Sequence, residues 1–120
     1  MVEKINLCEK FGKFEDHWAP RILGEVNESH VKIFKAKGEF VWHKHDHEDE
    51  LFFVIQGVLF IKFRDKTITL NPGELLIIPK GVEHCPYAEK EAQILLVEPR
   101  STLNTGDAKS DKTVNNPNKI

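Results

Sequence analysis

Three histidines and one glutamate are the residues of this chain best suited to chemistry. His43 and His45 are separated by one residue, Glu50 follows five residues later, and His84 ends a Pro-Lys-Gly-Val-Glu-His segment. Imidazole nitrogens and a carboxylate oxygen suit Fe, Mn, Zn, Ni and Cu, and this ligand set does not choose among them. The pattern therefore predicts one divalent transition-metal ion bound by His43, His45, Glu50 and His84.

The elements that carry these residues favour a shared site. In a strand, residues two apart lie on the same face, so a strand over residues 40–45 directs His43 and His45 the same way. Glu50 begins an apolar run, Leu-Phe-Phe-Val-Ile. A carboxylate buried there without a partner would be costly, and a cation beside the two imidazoles would remove that cost.

We expect the remaining histidines and Cys85 to lie outside the metal site. His47 lies two residues beyond His45 and is an alternative ligand, but the acidic bend at 46–49 favours a position at the rim of the site. Cys85 is expected to be a buried apolar residue. His17 and His30 lie outside the ligand pattern and are expected at the surface.

Composition narrows the class of protein. Seventeen basic and 19 acidic residues leave no basic excess, which argues against a nucleic-acid partner. The chain has two cysteines, no Cys-x-x-Cys pattern, no signal-like leader and no run long enough to cross a membrane. We therefore expect reduced thiols and a cytoplasmic protein.

The pattern of short apolar runs and turns predicts an all-β sandwich or barrel rather than a parallel α/β sheet. Asn6 and Glu9 predict a capped helix over residues 6–13, and an irregular lead-in follows at 17–27. Residues 1–100 are expected to form one domain, with the polar segment 101–120 as an exposed or disordered extension that Leu103 can anchor. Strands are expected at 31–37, 40–45, 50–55, 58–63, 67–70, 75–78, 82–85 and 93–97.

Two spaced motifs resemble those of the cupin superfamily. The first, G-x5-H-x-H-x3–4-E-x6-G, is matched by Gly38, His43, His45, Glu50 and Gly57, with one residue fewer after the first glycine. The second, G-x5-P-x-G-x2-H-x3-N, is matched by Gly73, Pro79, Gly81 and His84, with Ala88 in place of the final Asn. The resemblance covers about residues 30–98.

This resemblance implies a small single-domain cupin: an antiparallel double-stranded β-helix, or jelly-roll barrel, holding one metal through His43, His45, Glu50 and His84. It also implies a homodimer, for which the run 93–97 and the N-terminal region are candidate surfaces. Two functions stay open. One is a metal-dependent enzyme, dioxygenase- or isomerase-like, acting on a small organic molecule. The other is a non-catalytic binding or sensor module whose metal is structural or holds a ligand.

Overall fold

The computed structural model describes residues 2–120, which form one short helix and seven strands. Asn6 caps the helix by accepting a hydrogen bond from the backbone N–H of Glu9, as the sequence predicts. No helix within residues 2–120 is long and apolar enough to cross a membrane. The elements are α1 (Leu7–Phe11), β1 (Arg21–Val26), β2 (Ser29–Glu39), β3 (Glu50–Gln56), β4 (Leu59–Lys62), β5 (Thr67–Leu70), β6 (Leu75–Ile78) and β7 (Cys85–Pro99).

Strand β7 joins two groups of strands into one barrel. The sheet order is β1-β2-β7-β3-β6, and the first part of β7 also pairs with β4, which pairs with β5. Every strand pairing is antiparallel. The predicted all-β jelly-roll architecture is therefore confirmed.

Alternating side chains fill the barrel from these strands. Along β3, Glu50, Phe52 and Val54 are buried and the residues between them are partly exposed. The hydrophobic core cluster combines Phe52 and Val54 with inward side chains of β2, β4 and β7, including Phe34 and Leu96. A second cluster, built around Phe11, Phe14, Leu23 and Ile33, packs α1 and the lead-in against the outside of the sheet.

Two glycines permit close approaches that another residue would block. Gly57 has φ +85°, and a Cβ there would lie 2.9 Å from the Ala92 Cα atom. Gly106 has φ +55°, and a Cβ there would overlap the carbonyl oxygen of Lys44. Gly57 lets the chain pass close to β7 directly after the end of β3. Gly106 lets the C-terminal segment contact the loop that follows β2.

Three strand predictions were wrong. Strand β1 forms within 17–27, where an irregular lead-in was predicted, because Asn27 adopts φ +51° and turns the chain into a hairpin with β2. Residues 40–45 form no strand and make only an isolated bridge between His43 and His84. The run predicted at 93–97 does lie in a strand, but that strand, β7, begins at Cys85, so residues 82–84 of the run predicted at 82–85 lie outside it.

The prediction that residues 101–120 are exposed or disordered was also wrong for much of the segment. Thr102 and Thr105 are buried, and the hydroxyls of Thr105 and Thr113 lie 2.6 Å apart. At its end, the Ile120 N–H donates to the carbonyl of Ile22 in β1. The segment is polar, yet it is fixed by hydrogen bonds that composition does not reveal.

Candidate metal centre

The structure brings the four predicted ligands together at one end of the barrel. His43 and His45 lie in the loop between β2 and β3, Glu50 is the first residue of β3, and His84 directly precedes β7. One potential ligand atom from each residue lies within 4.8 Å of every other. All four are buried, with exposures of 0 to 4%. Such a cluster of titratable groups in a core requires a compensating partner.

The main chain fixes two of these imidazoles. The N–H of His43 donates to the carbonyl of His84 at 3.0 Å, and the N–H of His84 donates to the carbonyl of His43 at 2.9 Å. The ring centroids of the two histidines are 4.4 Å apart. His43 and His84 are thus placed by a backbone pair although no regular strand contains them.

Hydrogen bonds to carbonyls decide which ring nitrogen of each histidine is free. The Nδ1 atom of His43 lies 2.8 Å from the Val41 carbonyl, and Nδ1 of His84 lies 2.9 Å from the Val82 carbonyl. A carbonyl only accepts, so Nδ1 carries the proton and donates. This leaves Nε2 as a free lone pair in both rings, an arrangement usual for metal-binding histidines.

Three atoms that face one another in the cluster make no hydrogen bond. Nε2 of His45 and Nε2 of His84 each lie 3.1 Å from Oε1 of Glu50, and all three atoms are buried and unpartnered. A divalent cation coordinated by these two nitrogens and this oxygen would give each of the three atoms a partner. The residues present therefore fit such an ion on their own geometry.

The electrostatic environment favours the ligand-competent forms. Burial, helped by the neighbouring His84, lowers the pKa of His43 to about 4. Burial acts to raise the pKa of Glu50, but His45 and His84 outweigh it and hold that pKa below its usual range. At neutral pH His43 is consequently a neutral imidazole and Glu50 an ionised carboxylate, which are the forms that bind cations.

Lys32 and Glu98 lie buried near Glu50, and sequence reasoning missed both. Lys32 Nζ donates to Glu98 Oε1 at 3.3 Å. Burial and the charge of Glu50 raise the pKa of Glu98 well above its usual range. The sequence signal that could have revealed them is their spacing from apolar core residues. Lys32 lies two residues before Phe34 in β2, and Glu98 lies two residues after Leu96 in β7, so each shares the inward face of its strand.

Two cavities reach Glu50 from different sides. An apolar cavity of about 30 Å³ touches His43 and Glu50 and is otherwise walled by Trp18, Pro20, Phe34, Phe40, Phe52, Pro86, Leu96 and Asn104. A more open pocket of about 290 Å³ reaches Glu50 and Glu98 and is bordered by His47, Asp49 and Lys80. The centre thus has an apolar inner side and a polar outer side.

The remaining candidates lie outside the cluster. His47 is exposed at the outer pocket, as expected for a rim residue. Cys85 is fully buried, as expected for an apolar residue. His17 and His30 are partly exposed rather than fully at the surface, with Nε2 atoms 2.8 Å from Glu91 and 3.1 Å from Glu25.

Comparison with known families agrees with this geometry. The model of the cupin domain matches residues 30–98. These residues include both histidine segments, Glu50 and the strands β2 to β7 nearly in full. The chain therefore belongs to the cupin family.

Individual relatives extend over most of the chain. It is 44% identical over 85 residues to the uncharacterized protein YdbB of Bacillus subtilis (strain 168), covering 70% of this chain and 75% of that protein. A crystal structure of a cupin-2 domain containing protein from Shewanella frigidimarina superposes with a TM-score of 0.79 at 51% identity, covering 80% of this chain and 94% of the other. The chain is also 35% identical over 72 residues to the acireductone dioxygenase of Tuber melanosporum (strain Mel28), covering 55% of this chain but only 38% of that enzyme.

Proposed function

We propose that the chain is a metal-dependent enzyme that acts on a small organic molecule by oxygenation or isomerisation. The observation that carries this proposal is the set of buried, unpartnered ligand atoms on His45, Glu50 and His84. The similarity to an acireductone dioxygenase supports the oxygenation form, within the limited share of that enzyme that is matched.

The cation would supply Lewis-acid polarisation of a substrate oxygen, and iron or manganese would add redox chemistry with dioxygen. The chain's own residues supply the surroundings. Val41 and Val82 carbonyls keep the protons of His43 and His84 on Nδ1, facing away from the cluster. Phe40 and Phe52 line the apolar cavity beside the centre and exclude water from that side.

The open pocket is the better entrance for a substrate. At about 290 Å³ it approaches the size of small-molecule sites, whereas the apolar cavity of about 30 Å³ holds little more than a water-sized molecule. A substrate entering there meets Glu50 on one side and the polar groups of His47 and Lys80 on the other.

A second candidate function is a non-catalytic binding or sensor module whose metal is structural or holds a ligand. The observation that favours it is the small volume of the apolar cavity, which leaves the inner side of the centre nearly filled by protein. A tightly enclosed ion is typical of structural sites, while catalytic sites keep an open position.

One experiment separates the two functions. Protein purified without a histidine tag is analysed for metals, then loaded anaerobically with Fe²⁺, Mn²⁺ or Zn²⁺ and mixed with a panel of enediols, keto acids and keto sugars. Oxygen uptake or isomerised product that depends on the added metal supports the enzyme. A bound metal with no turnover of any panel member supports the binding module.

We further propose a cytoplasmic homodimer, with a revised contact surface. The run 93–97 is central in the sheet, because β7 pairs with both β2 and β3, so it offers no free edge. The N-terminal region is occupied by its own packing against Leu23 and Ile33. Leu75 and Ile77, 53% and 57% exposed on the end strand β6, supply the apolar edge for a second copy.

A further inference from the structure

A buried ion pair lies inside the barrel at the same end as the metal centre. Lys32 and Glu98 are 2% and 1% exposed. Within residues 2–120, each forms an ion pair only with the other. The second carboxylate oxygen of Glu98, Oε2, is buried without a hydrogen-bond partner. Apolar residues of similar volume would stabilise a core at least as well as such a pair. Packing alone therefore gives no reason for two charges here.

The strand register places Glu98 beside a metal ligand. In the β3–β7 pairing, Leu51 lies opposite Val97. The next residue towards the barrel end is Glu50 on β3 and Glu98 on β7. Both side chains are buried on the inward face, and cross-strand neighbours on one face have Cβ atoms typically about 5 Å apart. Both residues also border the same open pocket.

The balance of charge at this end of the barrel depends on all three ionic groups. In the cation-free protein, burial and the charge of Glu50 disfavour a second negative charge on Glu98. A divalent cation at the four ligands offsets the charge of Glu50, so in the cation-bound centre the carboxylates of Glu50 and Glu98 lie beside the cation and the single ammonium of Lys32. Removing the charge of Glu98 leaves Lys32 to repel the cation, and removing the charge of Lys32 leaves an additional attracting carboxylate. The two changes act on cation affinity with opposite signs.

We propose that the Lys32–Glu98 pair sets the cation affinity of the centre formed by His43, His45, Glu50 and His84. Glu98 is a positioning residue that acts through Glu50, and Lys32 is its counter-charge. The inference rests on the cation site of the proposed function and adds two residues to it, both outside the two sequence motifs.

The test measures the dissociation constant of Co²⁺ by competition with a chromogenic chelator, together with the visible spectrum of the bound ion. Glu98→Gln is expected to weaken Co²⁺ binding roughly 10-fold or more, the usual size of an outer-shell effect, and to shift the spectrum. Lys32→Met is expected to tighten binding. The double variant Lys32→Met/Glu98→Leu removes both charges and is expected to return close to the wild-type affinity. Glu89→Gln, exposed on the same strand, is the matched control.

The outcomes separate this inference from the function on which it rests. If both single variants weaken binding alike, or neither changes it, the pair is structural and the inference is overturned while the cation site stands. If Lys32→Met does not fold, the contrast between Glu98→Gln and the double variant decides: equal affinities overturn the inference. If the wild-type protein itself binds no Co²⁺, Zn²⁺ or Mn²⁺, the cation site fails and the inference fails with it.

Discussion

His43 and His84 exchange a reciprocal pair of backbone hydrogen bonds, although they come from segments far apart in the sequence. Their rings are consequently held 4.4 Å apart by the main chain rather than by side-chain packing alone. Separating them would break both bonds inside a buried region, where unpaired backbone groups are costly. This arrangement preorganises half of the ligand set before any cation arrives.

The first prediction concerns metal content. Protein purified without a tag should contain about one transition-metal ion per chain, bound by the four clustered side chains. His43→Ala and His84→Ala should each lose it, because each removes a nitrogen from the ligand set. Elemental analysis by mass spectrometry measures the ratio of metal to protein.

His47→Ala is the control for this measurement, since His47 is exposed and lies outside the cluster. It should keep the metal. A stoichiometric metal that persists in the His43→Ala/His84→Ala double variant would contradict the assignment of these ligands.

The second prediction concerns pH. In the metal-free protein the pKa of His43 is lowered to about 4, against 6.5 in the unfolded chain. Between these two pH values the unfolded chain binds a proton on His43 and the folded protein does not. Stability should fall as the pH drops from 6.5 through 4, by up to about 3 kcal/mol from this residue. Glu50, whose pKa is also lowered, extends the loss to lower pH.

Urea unfolding of chelator-treated protein between pH 4 and pH 8 measures this loss. His43→Gln should flatten the curve between pH 6.5 and 4, while His47→Gln should leave it unchanged. Equal stability of the wild-type protein at pH 7 and pH 4.5 would refute the prediction.

The third prediction concerns the contact between the C-terminal segment and the ligand loop. Gly106→Ala should destabilise the fold by about 2 kcal/mol or more, because its φ of +55° disfavours a side chain and the added Cβ overlaps the Lys44 carbonyl. The adjacent Asp107 N–H bonds to that same carbonyl at 3.1 Å, so the loop between His43 and His45 should shift as well.

Thermal unfolding and Co²⁺ affinity report the two effects. Gly24→Ala is the control, since a Cβ at Gly24 would meet no atom within 4 Å. Unaltered melting of Gly106→Ala would show that the segment is not held against the loop as described.

The fourth prediction concerns the two free cysteines. Cys8 is exposed and Cys85 is buried, and burial raises the pKa of the Cys85 thiol. A chromogenic disulfide reagent should therefore titrate one thiol rapidly in the native protein and two in denaturant. Loss of both signals without reductant would instead reveal a disulfide.

The fifth prediction concerns assembly. Ile77→Asp should convert a dimer to monomers, because it places a charge on the exposed apolar edge of β6. Val26→Asp, which is also an exposed apolar position but lies on β1, should leave the dimer intact. Sedimentation velocity at micromolar concentration distinguishes the two, and a monomeric wild-type protein would remove the proposal.

Local signals in the sequence predicted the centre of the barrel well. Strands β5 and β6 lie where the turn residues placed them, and the spacing of His43, His45 and Glu50 anticipated their convergence. The strand ends are local features, because turn chemistry fixes them. The positions of the ligands are not, because His43 lies outside any strand and is held by backbone hydrogen bonds to the distant His84.

Features that depend on distant partners were harder to predict. Strand β1 contains a register shift at Gly24, which hides its alternation, and it gains its partner only through the hairpin with β2. Lys32 and Glu98 look like ordinary surface charges until the pairing of β2 with β7 brings them together. The segment 101–120 is held by hydrogen bonds to groups far along the chain, which polar composition conceals.

The place of β7 in the chain constrains how the protein is made. Since β2, β3 and β4 all pair with this late strand, the barrel has no complete half that could fold during synthesis. The pairs β1–β2, β3–β6 and β4–β5 can form earlier, but they stay unjoined until β7 is complete at residue 99, a topology that folds slowly and leaves apolar strand faces exposed to aggregation meanwhile. His84 is the last of the four ligands to be synthesised, so the new chain has a complete set of ligands only after strands β1 to β6 have been made.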